Sequence, residues 1–254
     1  MTEKARTFVL VHGSWHGGWC WGRLAPLLEA RGHRVLAPSL TGHADRRHLL
    51  SPAVGLSTHV EDIASLMAFS EVEDAILVGH SYGGMVIAAV AARRAERIAG
   101  LVYLDAFVPE DGQACFDLAL PAVADGIREE ARRSGDGWRS PPPAPQAMGI
   151  IDDDDARWVA SQMTPQPIAT FEQPVRFGAA APDPGLAPRM YIHCRTDPPS
   201  PMFAPFADRA RATPGWTLHE LATGHDAMLT APDDLARLLL AANMPGEAAL
   251  SADT

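Results

Sequence analysis

Gly79-His80-Ser81-Tyr82-Gly83, followed by Gly84, is where residue types and spacing in this chain point most directly to chemistry. A serine hydroxyl is a weak nucleophile until a neighbouring base takes its proton. A G-x-S-x-G turn between a strand and a helix holds such a serine exposed, because glycines tolerate the crowding of so sharp a bend. The flanks fit this context. Ala75-Ile-Leu-Val enters the turn as a β-forming run, and Met85 to Val90 leave it as a helix apolar on every side. Such a helix belongs in the centre of a fold.

Two further segments supply what a serine nucleophile needs. Val11-His12-Gly13-Ser14-Trp15 ends the first apolar run. A glycine loop there can aim a backbone N–H at a developing oxyanion, and the residue after the nucleophile supplies another. The expected donors are therefore Ser14 and Tyr82. Thr223-Gly224-His225-Asp226 follows the last apolar run, and His225 is the expected base. The acid that orients it is placed at Asp197, in Cys194-Arg-Thr-Asp-Pro, with Asp105 in Val102-Tyr-Leu-Asp-Ala as the competitor. Chain order alone does not separate the two.

The other nine histidines have plainer readings. His33, His43, His48 and His59 fall in or beside surface connections, and His193 and His219 fall within packed strands. His12, His16 and His80 line the site loops, where they could position donors or water. His12 and His16 are four apart but lack a carboxylate and a helix, so no metal pair is expected. The acidic run from Asp152 to Asp155 reads as a helix start before Trp158, not a calcium loop.

The elements that must hold these residues alternate as short apolar runs and helix-period segments, which predicts a parallel sheet covered by helices. Strands are expected at residues 8–12, 34–37, 75–78, 101–104, 190–193 and 216–221. Helices are expected at 24–31, from Thr58 to about Ser70, at 82–95 and at 233–242. Residues 107–187 break the rhythm with Ser140-Pro-Pro-Pro-Ala-Pro and scattered aromatics, and read as a cap inserted in a single domain spanning 1–254. Trp138, Trp158, Phe171 and Met228 predict a mostly apolar pocket, and the tail after Met244 is expected to fray.

Composition bounds the function. The 254 residues carry a net charge of −10 and are 47% hydrophobic, which describes a globular chain without the basic footprint of a nucleic-acid or anionic-membrane partner. No apolar run approaches the ~20 residues of a membrane span, and the run after Arg6 is too short for a signal peptide. Cys20, Cys115 and Cys194 are odd in number with no CxxC, which fits a reducing, cytoplasmic setting. No metal and no cofactor are expected.

Phe8-Val-Leu-Val-His-Gly-Ser-Trp-His-Gly-Gly-Trp, Leu27-Leu-Glu-Ala-Arg-Gly-His-Arg-Val, Val78-Gly-His-Ser-Tyr-Gly-Gly-Met and Gly224-His225 together resemble the α/β-hydrolase fold. Within it they are most similar to the branch of plant methyl esterases and hydroxynitrile lyases and its bacterial relatives. The likeness covers roughly residues 7–109 and 188–243. It implies a serine–histidine–aspartate triad without cofactor, carried onto Ser81, His225 and Asp197, with Ser14 and Tyr82 as oxyanion donors. The expected activity is that of a serine carboxylesterase on a small, largely apolar ester. The lyases of this branch have a threonine after the first-strand histidine and a lysine after the catalytic one. Here Gly13 and Asp226 stand there, which argues against cyanide release. Asp105 also departs from the plant members, and both aspartates stay open. A lactonase, a C–C hydrolase, a hydroxynitrile lyase and a non-catalytic small-molecule receptor are the alternatives on the same fold.

Overall fold

A computed structural model describes residues 5–178, 187–196 and 201–241. Six strands form one parallel sheet: β1 (Thr7–Val11), β2 (Arg34–Leu36), β3 (Ala75–His80), β4 (Ile98–Leu104), β7 (Arg189–Cys194) and β8 (Trp216–Leu221). Their spatial order is β2-β1-β3-β4-β7-β8, so β3 and β4 lie in the middle. The residues of β3 are buried throughout, as a strand covered on both faces requires.

Alternate side chains of each strand feed two separate apolar layers. Val9, Val11, Leu77, Leu101, Tyr103 and Tyr191 pack on one face. Phe8, Leu10, Ile76, Val78, Val102, Leu104, Met190 and Ile192 pack on the other. The first layer is closed by α2 (Leu56–Phe69) and α3 (Gly83–Arg93), the second by α1 (Ala25–Glu29) and the closing C-terminal helix. All but Arg93 of the α3 residues are buried, and their small size lets the helix lie directly on β1, β3 and β4.

Between β4 and β7 the chain leaves the sheet. It forms α4 (Cys115–Leu118), α5 (Pro121–Ser134), α6 (Asp153–Gln162) and α7 (Ile168–Glu172), and a small antiparallel pair, β5 (Arg139–Ser140) with β6 (Gln166–Pro167). Asp152 caps α6 by accepting from the Asp154 and Asp155 amides at 3.0 and 2.9 Å. The acidic run is thus a helix start, as its spacing predicts. Arg23 ties this segment to the core by donating to the Asp155 carboxylate and, at 2.8 Å, to the Leu229 carbonyl. After β7 the chain forms α8 (Ala204–Ala212), absent from the sequence expectations, and after β8 come α9 (Ala227–Thr230) and α10 (Pro232–Ala241). No helix among the described residues is long and apolar enough to cross a membrane. The tail after Met244 lies outside the described residues.

Candidate active site

Ser81 sits in the turn from β3 to α3 with φ +53°, a left-handed backbone that a non-glycine residue adopts at a cost. Neighbouring hydrogen bonds hold it there. The Ser81 amide donates to the Leu104 carbonyl at 3.2 Å, and the Phe107 and Gly84 amides donate to the Ser81 carbonyl at 3.2 and 3.1 Å. A strained residue persists where its surroundings over-determine it. The flanking glycines answer to close approach: a Cβ on Gly79 would lie 2.7 Å from the Gly83 carbonyl oxygen.

β4 is the immediate neighbour of β3, with His80 level with Leu104, so the next residue, Asp105, emerges beside the serine. Asp105 has φ +41° and is 2% exposed. Its Oδ2 accepts from His225 Nδ1 at 2.7 Å, and its Oδ1 accepts from His193 Nδ1 at 3.0 Å and the Cys194 amide at 3.2 Å. Burial alone would raise this carboxyl, but the hydrogen bonds from the two histidines outweigh it and hold the group below the ordinary aspartate range. The described geometry therefore gives the His225 Nδ1–H to Asp105. Asp197, the residue placed ahead of it from sequence, lies outside the described residues.

His225 is held from three sides. Its ring stacks on Phe203, with centroids 4.8 Å apart and planes 6° apart. Its carbonyl accepts from His80 Nε2 at 3.1 Å. The next amide, that of Asp226, donates to the Met148 carbonyl at 3.3 Å. The His225 loop also crosses the inserted segment backbone to backbone: a Cβ on Gly224 would meet Gly149 Cα at 2.7 Å. With Nδ1 engaged by Asp105, Nε2 is the ring atom left for proton transfer.

The first-strand loop is fixed in the same manner. His12 donates from Nδ1 to the Gly13 carbonyl at 2.8 Å and accepts the Leu40 amide on Nε2 at 2.9 Å. Trp15, at φ +64°, is bound at three points: its amide to Gln166 Oε1 (3.2 Å), its carbonyl to the Thr164 amide (2.9 Å), and its indole N–H to the Ser140 carbonyl (3.2 Å). All three partners belong to the inserted segment. Among the described residues neither the Ser14 nor the Tyr82 amide has a backbone acceptor, which leaves both N–H groups for an oxyanion. The Tyr82 hydroxyl turns away and bonds His59 Nδ1 at 3.0 Å.

Ser14, Ser81, Asp105 and His225 all line one cavity of about 910 Å³. Its walls include Trp15, Phe107, Phe116, Phe171 and Phe203, and the Phe116 and Phe171 rings stack 5.1 Å apart. Of the four apolar residues expected in the pocket, Phe171 lines it. Met228 instead is fully buried in the second core layer, and Trp158 packs edge-on against Trp19 outside. Trp138 lies beneath Arg139 and not on the cavity wall. A half-buried strained serine on the cavity wall, an imidazole oriented by a buried carboxylate and two open amides can together carry acyl transfer. The His80, His225 and Asp226 donor atoms lie within 4.8 Å of one another, but a cation there would occupy the imidazole that this chemistry needs as a base.

Three of the histidines read as lying in or beside surface connections are interior: His33 is buried, and His43 and His59 are fully so. Asp226, noted in the sequence only as standing where the lyases have lysine, is fully buried against His16 Nε2 at 3.0 Å.

Residues 8–238 match the family described as Alpha/beta hydrolase family. A carbendazim hydrolyzing esterase of Nocardioides sp. (strain SG-4G) is 42% identical over 242 residues, covering 92% of this chain and 98% of that protein. Methylesterase 1 of Arabidopsis thaliana is 40% identical over 114 residues, 43% of each chain. Among solved structures, an extracellular alpha/beta-hydrolase from a Paenibacillus species superposes with a TM-score of 0.79 at 23% identity, over 92% of this chain and 98% of that one. At that identity the likeness is one of fold.

Proposed function

Since this chain belongs to the alpha/beta hydrolase family and is a hydrolase of its esterase relatives' kind, we propose that Ser81, His225 and Asp105 form its catalytic triad and act on a small, largely apolar carboxylic ester. The observation that carries this reading is the 2.7 Å bond from His225 Nδ1 to Asp105 Oδ2, beside a serine held in a left-handed turn on the same cavity.

In this mechanism Ser81 Oγ attacks the ester carbonyl while His225 Nε2 takes its proton, and the Asp105 carboxylate balances the imidazolium that forms. The Ser14 and Tyr82 amides receive the oxyanion. Collapse of the tetrahedral intermediate expels the alcohol, protonated by His225, and leaves an acyl-Ser81 that water then cleaves by the same steps in reverse. The aromatic wall of Trp15, Phe116 and Phe171 suits a flat apolar acyl or alcohol group, and with methylesterases among the relatives, methyl esters are the first substrates to try. Residues 107–187 act as a cap over this cavity within one domain spanning the chain. The three cysteines, free and buried, suit a cytoplasmic enzyme.

The test is a panel of p-nitrophenyl and methyl esters of varied acyl groups, with Ser81→Ala as control. Turnover is expected for apolar and aromatic esters, and the control should lose at least about 10⁴-fold. Near-native turnover by Ser81→Ala would overturn the assignment of the nucleophile.

A further inference from the structure

We propose that His16 is a buried imidazolium, paired with the Asp226 carboxylate, and that it acts as a positioning residue holding the Ser14 donor and the His225 base in register. The kinetic half of this inference rests on the esterase reading above; the charge state of the ring does not.

The charge follows from counting hydrogens. His16 Nδ1 lies 2.7 Å from the Ser14 carbonyl oxygen and Nε2 lies 3.0 Å from Asp226 Oδ2. A carbonyl and a carboxylate only accept, so both ring nitrogens must carry hydrogen. The neighbouring rings differ. His12 Nε2 accepts the Leu40 amide and His59 Nδ1 faces the Tyr82 hydroxyl, while the other nitrogen of each faces a carbonyl, so both bond well as neutral rings. His80 gives its one N–H to the His225 carbonyl and leaves Nδ1 without a partner.

The groups facing the pair leave Asp226 as the counter-ion. Burial, with repulsion from neighbouring histidines, holds His12 and His80 down at about 3 and His43 well below its ordinary value. Burial pushes the Cys20 and Cys194 thiols well up. Asp226, despite complete burial, is held at about 2 by His16, and His16 is raised because Asp226 outweighs its own desolvation. A buried pair of this kind tolerates loss of neither member well.

Its position gives it a role. One ring links the carbonyl of the residue whose amide receives the oxyanion to the residue that follows the base, which is itself 210 positions from His16. The imidazolium is present below its raised pKa and lost as pH rises through it. One of the two acceptors then loses its donor, and turnover declines on the alkaline side.

Ring-nitrogen NMR of the histidines at pH 8, together with kinetics on the whole protein, tests this. One ring protonated on both nitrogens is expected in the native protein, absent in His16→Gln and reduced to a single N–H in Asp226→Asn. Asp226→Asn should lower kcat about 10–100-fold with KM within about twofold, as small misplacements of catalytic groups do. Its alkaline decline should move down by about one pH unit or more. Should Asp226→Asn fail to fold, the double variant His16→Gln/Asp226→Asn leaves no unpaired buried charge and should show the same kcat loss. Absence of a doubly protonated ring in the native protein overturns the charge assignment. An unchanged kcat and alkaline decline in the folded variants overturns the positioning role. If Ser81→Ala kept its activity, the esterase reading would fall while the ring spectrum stood.

Discussion

Two buried carboxylates flank His225, and each faces two histidines. Asp105 binds His193 and His225, with one oxygen for each ring. Asp226 binds His16 at 3.0 Å and approaches His80 Nε2 at 3.6 Å. The donors are of one kind, yet the two centres differ in what lies beyond the rings. Beyond His225 is the cavity, so its second nitrogen can exchange a proton with a substrate. Beyond His16 is the Ser14 carbonyl, so its second nitrogen is spent on structure. Open space on one side of an imidazole, more than its carboxylate partner, separates a base from a clamp.

That contrast can be broken at its strongest point first. Asp105→Asn should lose about 10³–10⁴-fold in kcat, because an amide favours the wrong imidazole tautomer. Asp197→Asn assayed beside it should lose less than about tenfold; the reverse ranking would move the acid to Asp197. The Asp226→Asn variant ranks next, with the loss and the alkaline shift given above. His193→Gln should cost about tenfold or less in kcat, since the Cys194 amide still holds Asp105 Oδ1. A loss matching that of Asp105→Asn would make His193 as important as Asp105. Gln166→Ala, which frees the Trp15 amide, should cost a similar few-fold to tenfold in kcat with KM little changed, and initial rates across substrate concentration read both.

The last prediction concerns stability. His12, His43, His59 and His80 are held neutral in the fold by burial, with His59 at about 4 and His12 and His80 at about 3. The unfolded chain protonates each near pH 6.5, so it gains protons that the fold refuses as pH falls below that value. Stability should therefore decline below about pH 6.5, by up to about 1.4 kcal/mol per pH unit for each such ring. The two depressed aspartates act in a lower window: they stabilise above the ordinary carboxylate range and lose that contribution as pH falls through their folded values. A urea midpoint that stays flat between pH 7 and pH 5 would contradict the histidine contribution.

The strands of the sheet were legible because buried strands are apolar runs, and the turn at Ser81 because few sequences fit so many glycines into a strand-to-helix bend. The carboxylate partner of His225 is less legible for a topological reason. Asp105 and Asp197 each follow an expected strand, and chain order does not say which strand is adjacent to β3. Only the spatial order, with β4 next to β3, puts Asp105 beside Ser81. His43 and His59 read as lying in or beside surface connections; His43 is buried against the inserted segment, where its Nδ1 meets Thr164 Oγ1, and His59 lies on the buried face of α2 against the Tyr82 hydroxyl. The His16–Asp226 pair spans 210 residues and leaves no local spacing to detect.

The crossing of Gly149 and Gly224 sets a rule for anyone who would transplant this insertion. At that point two strands of main chain touch with no side chain between them, and Gly149 also has φ +83°. A pocket wall borrowed from a relative would have to arrive with a glycine at that position. Any larger residue would lift the loop that bears His225 and would spoil turnover by moving that loop. Recombination breakpoints therefore belong outside the stretch from Pro145 to Gly149, and libraries aimed at new substrates should vary the aromatic wall and leave that contact untouched.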